Sequence, residues 1–255
     1  MISKPKCKYR FVERDEYDPK RQRFEMKILN AAREFIEENY GYTFVHDLIG
    51  SAGRGLVTER INGNTGYDFD YNLILKRLNE SPFGRNVIDV MDMNRGLHLE
   101  DPGLIKEQFR LAFNYAVKGT EYDFPENSSS VLTIKCKDRK NSRILHGADL
   151  AIVYYDQSGI AHTLEHYKPF DGIGAGGYGF QIRDNSYRID NKLDEILEFL
   201  DDGWELIKEE YLKLKNSNED ENKKSFILYV EAVNNVRHNY DQDIYDEQYR
   251  QDIVG

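Results

Sequence analysis

Cysteine and histidine are scarce in this chain of 255 residues, and their spacing does not suit a metal site. The two cysteines, Cys7 and Cys136, are too few and too far apart for a disulfide framework or a four-ligand zinc site. The six histidines never fall into the HxH or HExxH spacings that gather imidazoles around one ion. A metal bound by this protein would therefore need carboxylate ligands.

Long apolar runs are also missing. The longest uninterrupted run, Leu150 to Tyr155, has six residues, whereas a helix that crosses a bilayer needs about 20. The N-terminus is basic but is followed by polar sequence, so it offers no apolar segment of the kind that a secretion signal uses. We therefore expect no membrane span and a cytoplasmic location.

An excess of positive charge is absent as well. The chain has 35 Lys and Arg against 45 Asp and Glu, a net charge of -10, which disfavours charge-driven binding to long nucleic acids. With 40% hydrophobic and 13% aromatic residues, the chain can bury a core, and wholesale disorder is excluded. Its length allows one large domain or two smaller ones.

Hydrophobic periodicity divides the chain into a mixed α/β half and a helical half. Apolar residues spaced by three and four predict helices over 17–39 and 101–118. Alternating or continuous apolar patterns predict strands over 42–49, 67–75, 131–137, 145–155 and 162–167. From Asn191 onward the spacing is helical, with a polar linker over 215–224, a helix around 225–235 and a tail polar enough to fray.

Three aspartates on predicted strands are the strongest candidates for catalysis. Asp68 and Asp70 share one face of their strand, about 7 Å apart, because side chains alternate across a strand. Two carboxylates on one face repel each other unless they are solvated, paired or bridged by a divalent ion. Asp149 is a lone acid in a strand that is otherwise apolar. If the two strands are neighbours, the three carboxylates converge where Mg2+ could bind.

A glycine-rich stretch, Gly50-Ser-Ala-Gly-Arg-Gly55, follows the strand predicted over 42–49. Glycine lets backbone N–H groups approach a phosphate, Ser51 adds a hydroxyl donor, and Arg54 adds a positive charge. The stretch lacks the Gly-Lys-Ser/Thr of a Walker A loop and the pattern of a dinucleotide-binding turn. The sequence therefore predicts phosphate binding of another kind.

Gly50-Ser51, then Asp68-Phe-Asp70, then Asp149 on a later strand resembles the pattern of the polymerase-β-type nucleotidyltransferase superfamily. The Gly-Ser-x-x-Arg-Gly form is similar to that of oligoadenylate and bacterial cyclic-oligonucleotide synthases. The resemblance implies an α/β (α+β) nucleotidyltransferase core with a mixed sheet, followed by a mostly helical C-terminal domain. We expect these to be residues 1–170, including the N-terminal helix, and residues 171–255, joined by a Gly-rich junction.

The resemblance also implies an activity and a set of site residues. Asp68, Asp70 and Asp149 would hold Mg2+ or Mn2+, and Asp149 would activate the attacking hydroxyl. The loop residues Gly50, Ser51, Gly53 and Arg54 would bind the nucleoside triphosphate, ATP or another. An acceptor hydroxyl on a small molecule, a nucleotide or a protein would take the nucleoside monophosphate, and pyrophosphate would leave.

Several alternatives remain open at the level of sequence. Asp89 and Asp92 are nearer to the acidic pair, although strand context favours Asp149. The insert over 60–66 either covers the nucleotide or is a surface hairpin. The chain could instead be a silent nucleotide-binding or interaction protein of this fold, or a carboxylate-metal phosphodiesterase, which the Gly50-Ser51 loop argues against.

Further polar and glycine-rich positions have weaker claims to a role. The cluster over 171–179 could cradle phosphate or bind the acceptor, but a flexible linker is favoured because no predicted helix starts directly after it. Acceptor contacts are also conceivable, though not favoured, for Arg183, Tyr187 and Arg188. We interpret His146 as a structural histidine at the start of its strand.

Overall fold

The computed structural model describes residues 8–77, 101–156, 158–168, 176–183, 189–220 and 222–254, with side chains described as far as Tyr240. Its contacts define two compact units. One is Val12–Asp184, and the other joins the N-terminal residues as far as Phe11 to the chain from Asn185 onward. All three candidate aspartates and the Gly50 loop belong to the first unit.

Helices and strands alternate through the first half of the chain and give way to helices in the second. In chain order the first elements are β1 (Tyr9–Phe11), α1 (Arg14–Phe24), α2 (Asn30–Tyr40), β2 (Tyr42–Ile49), α3 (Gly50–Gly53), β3 (Thr58–Arg60) and β4 (Tyr67–Arg77). They are followed by α4 (Pro102–Val117), β5 (Glu126–Asn127), β6 (Val131–Asp138), β7 (Arg143–Tyr155), β8 (Ala161–Tyr167) and β9 (Gly177–Ile182). The last are α5 (Ile189–Phe199), α6 (Gly203–Ser217) and α7 (Ser225–Val254).

Within the described residues, seven strands of the larger unit form one mixed sheet. Its order is β2-β4-β7-β6-β5, while β8 pairs with the end of β7 and β9 pairs with β8. Strands β4 and β7 run parallel, and the remaining neighbours in this sheet are antiparallel. This confirms the mixed α+β core expected from the sequence.

Alternation along β4 gives the sheet two chemically different faces. Tyr67, Phe69, Tyr71 and Leu73 are buried on what we call the apolar face. Helices cover it: the ring of Phe24 on α1 stacks on Tyr71 at 5.9 Å between centroids. The other side, which we call the acidic face, carries Asp68 and Asp70. Burial of the aromatic side chains stabilises the sheet by about 1.5–3 kcal/mol each.

The N-terminal helix predicted over 17–39 is present, but a π-helical segment, Glu25–Leu29, interrupts it between α1 and α2. Glu25 in this segment accepts hydrogen bonds from Arg21 Nη1 at 2.8 Å and from the hydroxyl of the buried Tyr71 at 3.0 Å. A π segment of this kind has no simple signature in hydrophobic spacing.

The smaller unit contains β1 and the three C-terminal helices. The side chain of Asn216 on α6 accepts hydrogen bonds from the backbone N–H groups of Lys8 and Tyr9 at 2.6 and 2.8 Å, and donates to Tyr9 O at 3.2 Å. Lys192 on α5 donates to Asn234 on α7 at 2.7 Å. Helix α7 continues to Val254, so the structure does not show the expected fraying after Arg237.

Strand β9 changes the interpretation of the second glycine cluster. Residues 177–179 pair with β8 as part of this strand rather than forming a linker, whereas residues 171–175 lie outside the described residues. β9 therefore extends the sheet beyond the boundary expected at residue 170. None of the helices in the described part of the chain combines the length and the apolar character needed to cross a membrane.

Candidate active site

The two strands that carry the candidate aspartates lie side by side. In the parallel register of β4 and β7, Asp68 pairs with Gly147 and Asp70 pairs with Asp149. Paired residues on neighbouring strands point to the same face, with backbones about 4.8 Å apart. The structure therefore brings Asp68, Asp70 and Asp149 to one region of the acidic face, as the sequence predicted if these strands were neighbours.

Two glycines make room for the carboxylates of the pair. A β-carbon on Gly147 would overlap Oδ1 of Asp68, and a β-carbon on Gly50 would overlap the carboxylate of Asp70. Gly50 also has a φ of 65°, which L-residues with side chains rarely adopt. Neither position accepts a larger residue unless a carboxylate moves.

The local electrostatics of the site are unfavourable to charge on Asp70. Burial is the largest cause, and the negative charges of Asp149 and Asp68 add to it, so the pKa of Asp70 rises to about 6. The positive charge of Arg54 acts in the opposite direction but is the smallest of these effects. The ionised form of Asp70 therefore destabilises the folded protein, and strongly shifted pKa values of this kind are found at many functional sites.

Asp149 accepts a hydrogen bond from the strand on its other side, away from Asp68 and Asp70. Thr133 on β6 pairs with Asp149 in the antiparallel register of β6 and β7. Its hydroxyl donates to Oδ1 of Asp149, with the two oxygens 2.5 Å apart. Thr133 carries no signal in the sequence, because a threonine in a strand is ordinary and only the register shows what it faces.

The Gly50 loop is the short helix α3, which directly follows β2. Because Ile49 pairs with Asp70 across β2 and β4, the chain enters this loop beside the acidic pair. Arg54 Nη1 donates to Gly50 O at 2.9 Å, and the N–H of Leu56 donates to Ser51 O at 2.7 Å. Gly53 also packs closely, since a β-carbon there would lie 2.6 Å from Leu48 O. These contacts hold the loop in a compact turn, and the close approach of Gly50 to Asp70 places that turn beside the acidic pair.

The three carboxylates of the site are suitable ligands for a divalent cation. Mg2+ and Mn2+ prefer oxygen ligands, and a positive ion would relieve the repulsion that raises the pKa of Asp70. Among the described residues, however, no group of three or more His, Cys, Asp or Glu side chains is arranged so that it could hold a metal ion. The chemistry of the three carboxylates fits a cation, although the structure does not hold them in a metal-binding arrangement.

The structure describes only some of the other positions singled out from the sequence. His146 is buried on the apolar face, and its Nε2 lies 3.2 Å from the hydroxyl of Tyr122. Arg183 Nη1 donates to Asn72 at 3.0 Å. In the insert over 60–66, Asn64 O accepts from the N–H of Ile144 at 2.9 Å. Four candidates lie outside the described residues: Asp89, Asp92, Tyr187 and Arg188.

Comparison with solved structures finds a similar fold in bacterial proteins. The Vibrio cholerae DncV cyclic AMP-GMP synthase in complex with a linear intermediate matches with a TM-score of 0.54 and 9% identity, over 90% of this chain and 69% of that one. The fold is that of the polymerase-β-type nucleotidyltransferases. Escherichia coli DncV bound to 3'-deoxy GTP matches with a TM-score of 0.53 and 9% identity, over 87% of this chain and 66% of that one.

Sequence-based comparisons add nothing to this result. No protein-family profile matches the chain, and no curated protein sequence matches it.

A third structure, the V. cholerae di-nucleotide cyclase in complex with GTP and 5MTHFGLU2, matches with a TM-score of 0.51 and 9% identity, covering 80% of this chain and 50% of that one. The chain thus spans between half and about two thirds of the length of these three neighbours. At this identity the likeness establishes the fold.

Proposed function

We propose that the protein is a nucleotidyltransferase that moves a nucleoside monophosphate from a nucleoside triphosphate to an acceptor hydroxyl. The observation that carries this proposal is the meeting of Asp68, Asp70 and Asp149 on one face, with the Gly50 loop packed against Asp70. Carboxylates beside a glycine-rich turn are the groups that in-line phosphoryl transfer needs.

Each part of this site has a role in the proposed reaction. Asp68, Asp70 and Asp149 would hold Mg2+ or Mn2+, which when bound supplies neutralising charge at the phosphates. Gly50, Ser51 and Gly53 offer backbone N–H groups and a hydroxyl to the triphosphate, and Arg54 offers a positive charge. Asp149 takes the proton of the acceptor hydroxyl. That oxygen bonds to the α-phosphorus as the bond to the β-phosphate oxygen breaks, and pyrophosphate leaves.

The acceptor is proposed to be a second nucleotide. This choice rests on the solved neighbours, which include a cyclic AMP-GMP synthase with a linear intermediate and a form bound to 3'-deoxy GTP. The net charge of -10 supports a small acceptor over a long nucleic acid. Small molecules and protein side chains carry the same reactive hydroxyl and belong in the same screen.

Pyrophosphate release tests the proposal. The purified protein is incubated with each of the four ribonucleoside triphosphates, singly and mixed, with Mg2+ or Mn2+, and products are identified by mass spectrometry. The Asp70→Asn variant should be at least about 100-fold slower, because the substitution removes the carboxylate and keeps the size of the side chain. Asp47→Asn is the matched control and should leave the rate unchanged. Asp47 is exposed on β2 and pairs with Asn72, so it lies on the same face of the sheet as Asp70.

The results also separate the alternatives. Nucleotide binding without pyrophosphate release under any of these conditions would favour the silent nucleotide-binding protein. Cleavage of a phosphodiester without any triphosphate would favour the phosphodiesterase. An Asp70→Asn variant that is folded and fully active would contradict the assignment of the site.

A further inference from the structure

A row of three paired residues crosses the acidic face from β4 to β6. Asp70 pairs with Asp149, and Asp149 pairs with Thr133. Asp149 therefore has a carboxylate on one side and a hydroxyl on the other. The hydroxyl of Thr133 donates to Oδ1 of Asp149 at 2.5 Å, whereas Asp70 has no proton to offer once it is ionised.

The surroundings of Thr133 commit its hydroxyl to Asp149. The next acid in the row, Glu126, pairs with Thr133 across β5 and β6, but its Oε2 lies 2.6 Å from Lys135 Nζ. That ion pair satisfies Glu126 and leaves the threonine hydroxyl to Asp149. Threonine is also stiff at χ1 because it is branched at the β-carbon, so a hydrogen bond made here is held in place at little further cost in entropy.

We propose that Thr133 is a positioning residue, which fixes one oxygen of Asp149 through its hydroxyl and leaves the other oxygen to the cation and the acceptor hydroxyl. This inference rests on the proposed function, because it gives Asp149 its orientation for that reaction. A carboxylate that holds a metal is commonly oriented by a hydrogen bond from a neighbouring group, and loss of such a partner typically costs about 10- to 100-fold in metal affinity or activity.

Two threonine variants separate the hydroxyl from the shape of the side chain. Thr133→Val keeps the branched shape and removes the donor, whereas Thr133→Ser keeps the donor and removes the methyl group. The first readout is calorimetric binding of Mn2+ to the protein without nucleotide, where Thr133→Val should bind about tenfold more weakly. The second is steady-state kinetics, where Thr133→Val should lower kcat about 10- to 100-fold with little change in KM for the triphosphate. Thr133→Ser should resemble the wild type in both.

Thr163 provides the matched control. It lies on β8 and pairs with Val153, so its side chain is on the same face as Asp149, but its buried hydroxyl has no hydrogen-bond partner among the described residues. Thr163→Val removes the same atom and should change neither Mn2+ binding nor kcat. Thermal unfolding of all variants confirms folding, and if Thr133→Val does not fold, Thr133→Ala compared with Thr133→Ser isolates the hydroxyl in the same way.

The outcomes distinguish this inference from the proposed function. Equal Mn2+ affinity and equal kcat for Thr133→Val and Thr133→Ser would overturn the role of Thr133, even if the wild type is an active nucleotidyltransferase. Absence of turnover in the wild type would overturn the proposed function. The Mn2+ comparison would still decide whether Thr133 positions Asp149, because that measurement needs no reaction.

Discussion

On β4, Phe69 and Tyr71 are fully buried on the apolar face, whereas their neighbours Asp68 and Asp70 point to the acidic face. The apolar face stabilises the fold by burying aromatic surface against the helices. The acidic face gathers like charges and raises the pKa of Asp70 to about 6. One strand therefore supplies both stability and a site that costs stability, and the two can be changed separately.

Gly147→Ala should disrupt the acidic face and leave the apolar face unchanged. The added methyl group would overlap Oδ1 of Asp68, so the carboxylate must move, and displacement of a reacting group by about 1 Å can cost about 100-fold in rate. We expect pyrophosphate release to fall by about that factor while the apolar core remains intact, as judged by circular dichroism.

The effect of Gly147→Ala should disappear when Asp68 is shortened. In the wild type the overlap should lower the free energy of unfolding only slightly, because the oxygen that must move ends a flexible side chain. In an Asp68→Ala background the same substitution should cost nothing. Denaturant unfolding of the four proteins measures this coupling. An equal cost in both backgrounds would show that the methyl group does not act through Asp68.

Asp70→Asn should make the protein without metal more stable at neutral pH. The pKa of the Asp70 carboxyl is about 6 in the folded state and near 4 in the unfolded chain. The folded protein therefore loses stability as pH rises from about 4 to about 6. Removal of the charge should return at most about 3 kcal/mol above pH 6 and almost nothing at pH 4. Thermal unfolding in EDTA across this range measures the difference, and a variant that is less stable than the wild type at pH 7.5 would contradict the electrostatic account.

His146 on the apolar face should show the opposite dependence on pH. Burial, with a smaller contribution from the charge of Lys20, lowers the pKa of His146 to about 4. The unfolded chain binds a proton near pH 6.5 and the folded chain does not, so stability falls by up to about 3 kcal/mol as pH drops from about 6.5 to 4. His146→Gln cannot take up a proton and should lose this dependence. A curve of stability against pH that is the same in both proteins would show that another group is responsible.

The core of the site could be predicted from the sequence because strand alternation alone puts Asp68 and Asp70 on one face. The position of Asp149 depended on a pairing that only the fold decides, and the register with Asp70 confirms it. The catalytic roles of these residues stay predictions. Thr133 could not be found, because its importance lies in the residue opposite it on the next strand.

Two differences in the fold have similar physical causes. In the π segment, Glu25 accepts a hydrogen bond from Tyr71, which is distant in sequence. Strand β9 starts in glycines, which favour turns and linkers locally, but pairing with β8 overrides that preference. In both places, contacts between distant parts of the chain outweigh local pattern.

Binding of a non-hydrolysable triphosphate tests the central claim most directly, because it asks whether the acidic face receives a nucleotide. Calorimetry with and without Mg2+ compares the wild type with the Asp68→Asn/Asp70→Asn double variant, both shown to be folded. We predict binding that depends on Mg2+ in the wild type and is lost in the double variant. No binding to the folded wild type, or equal binding to both proteins, would contradict the account.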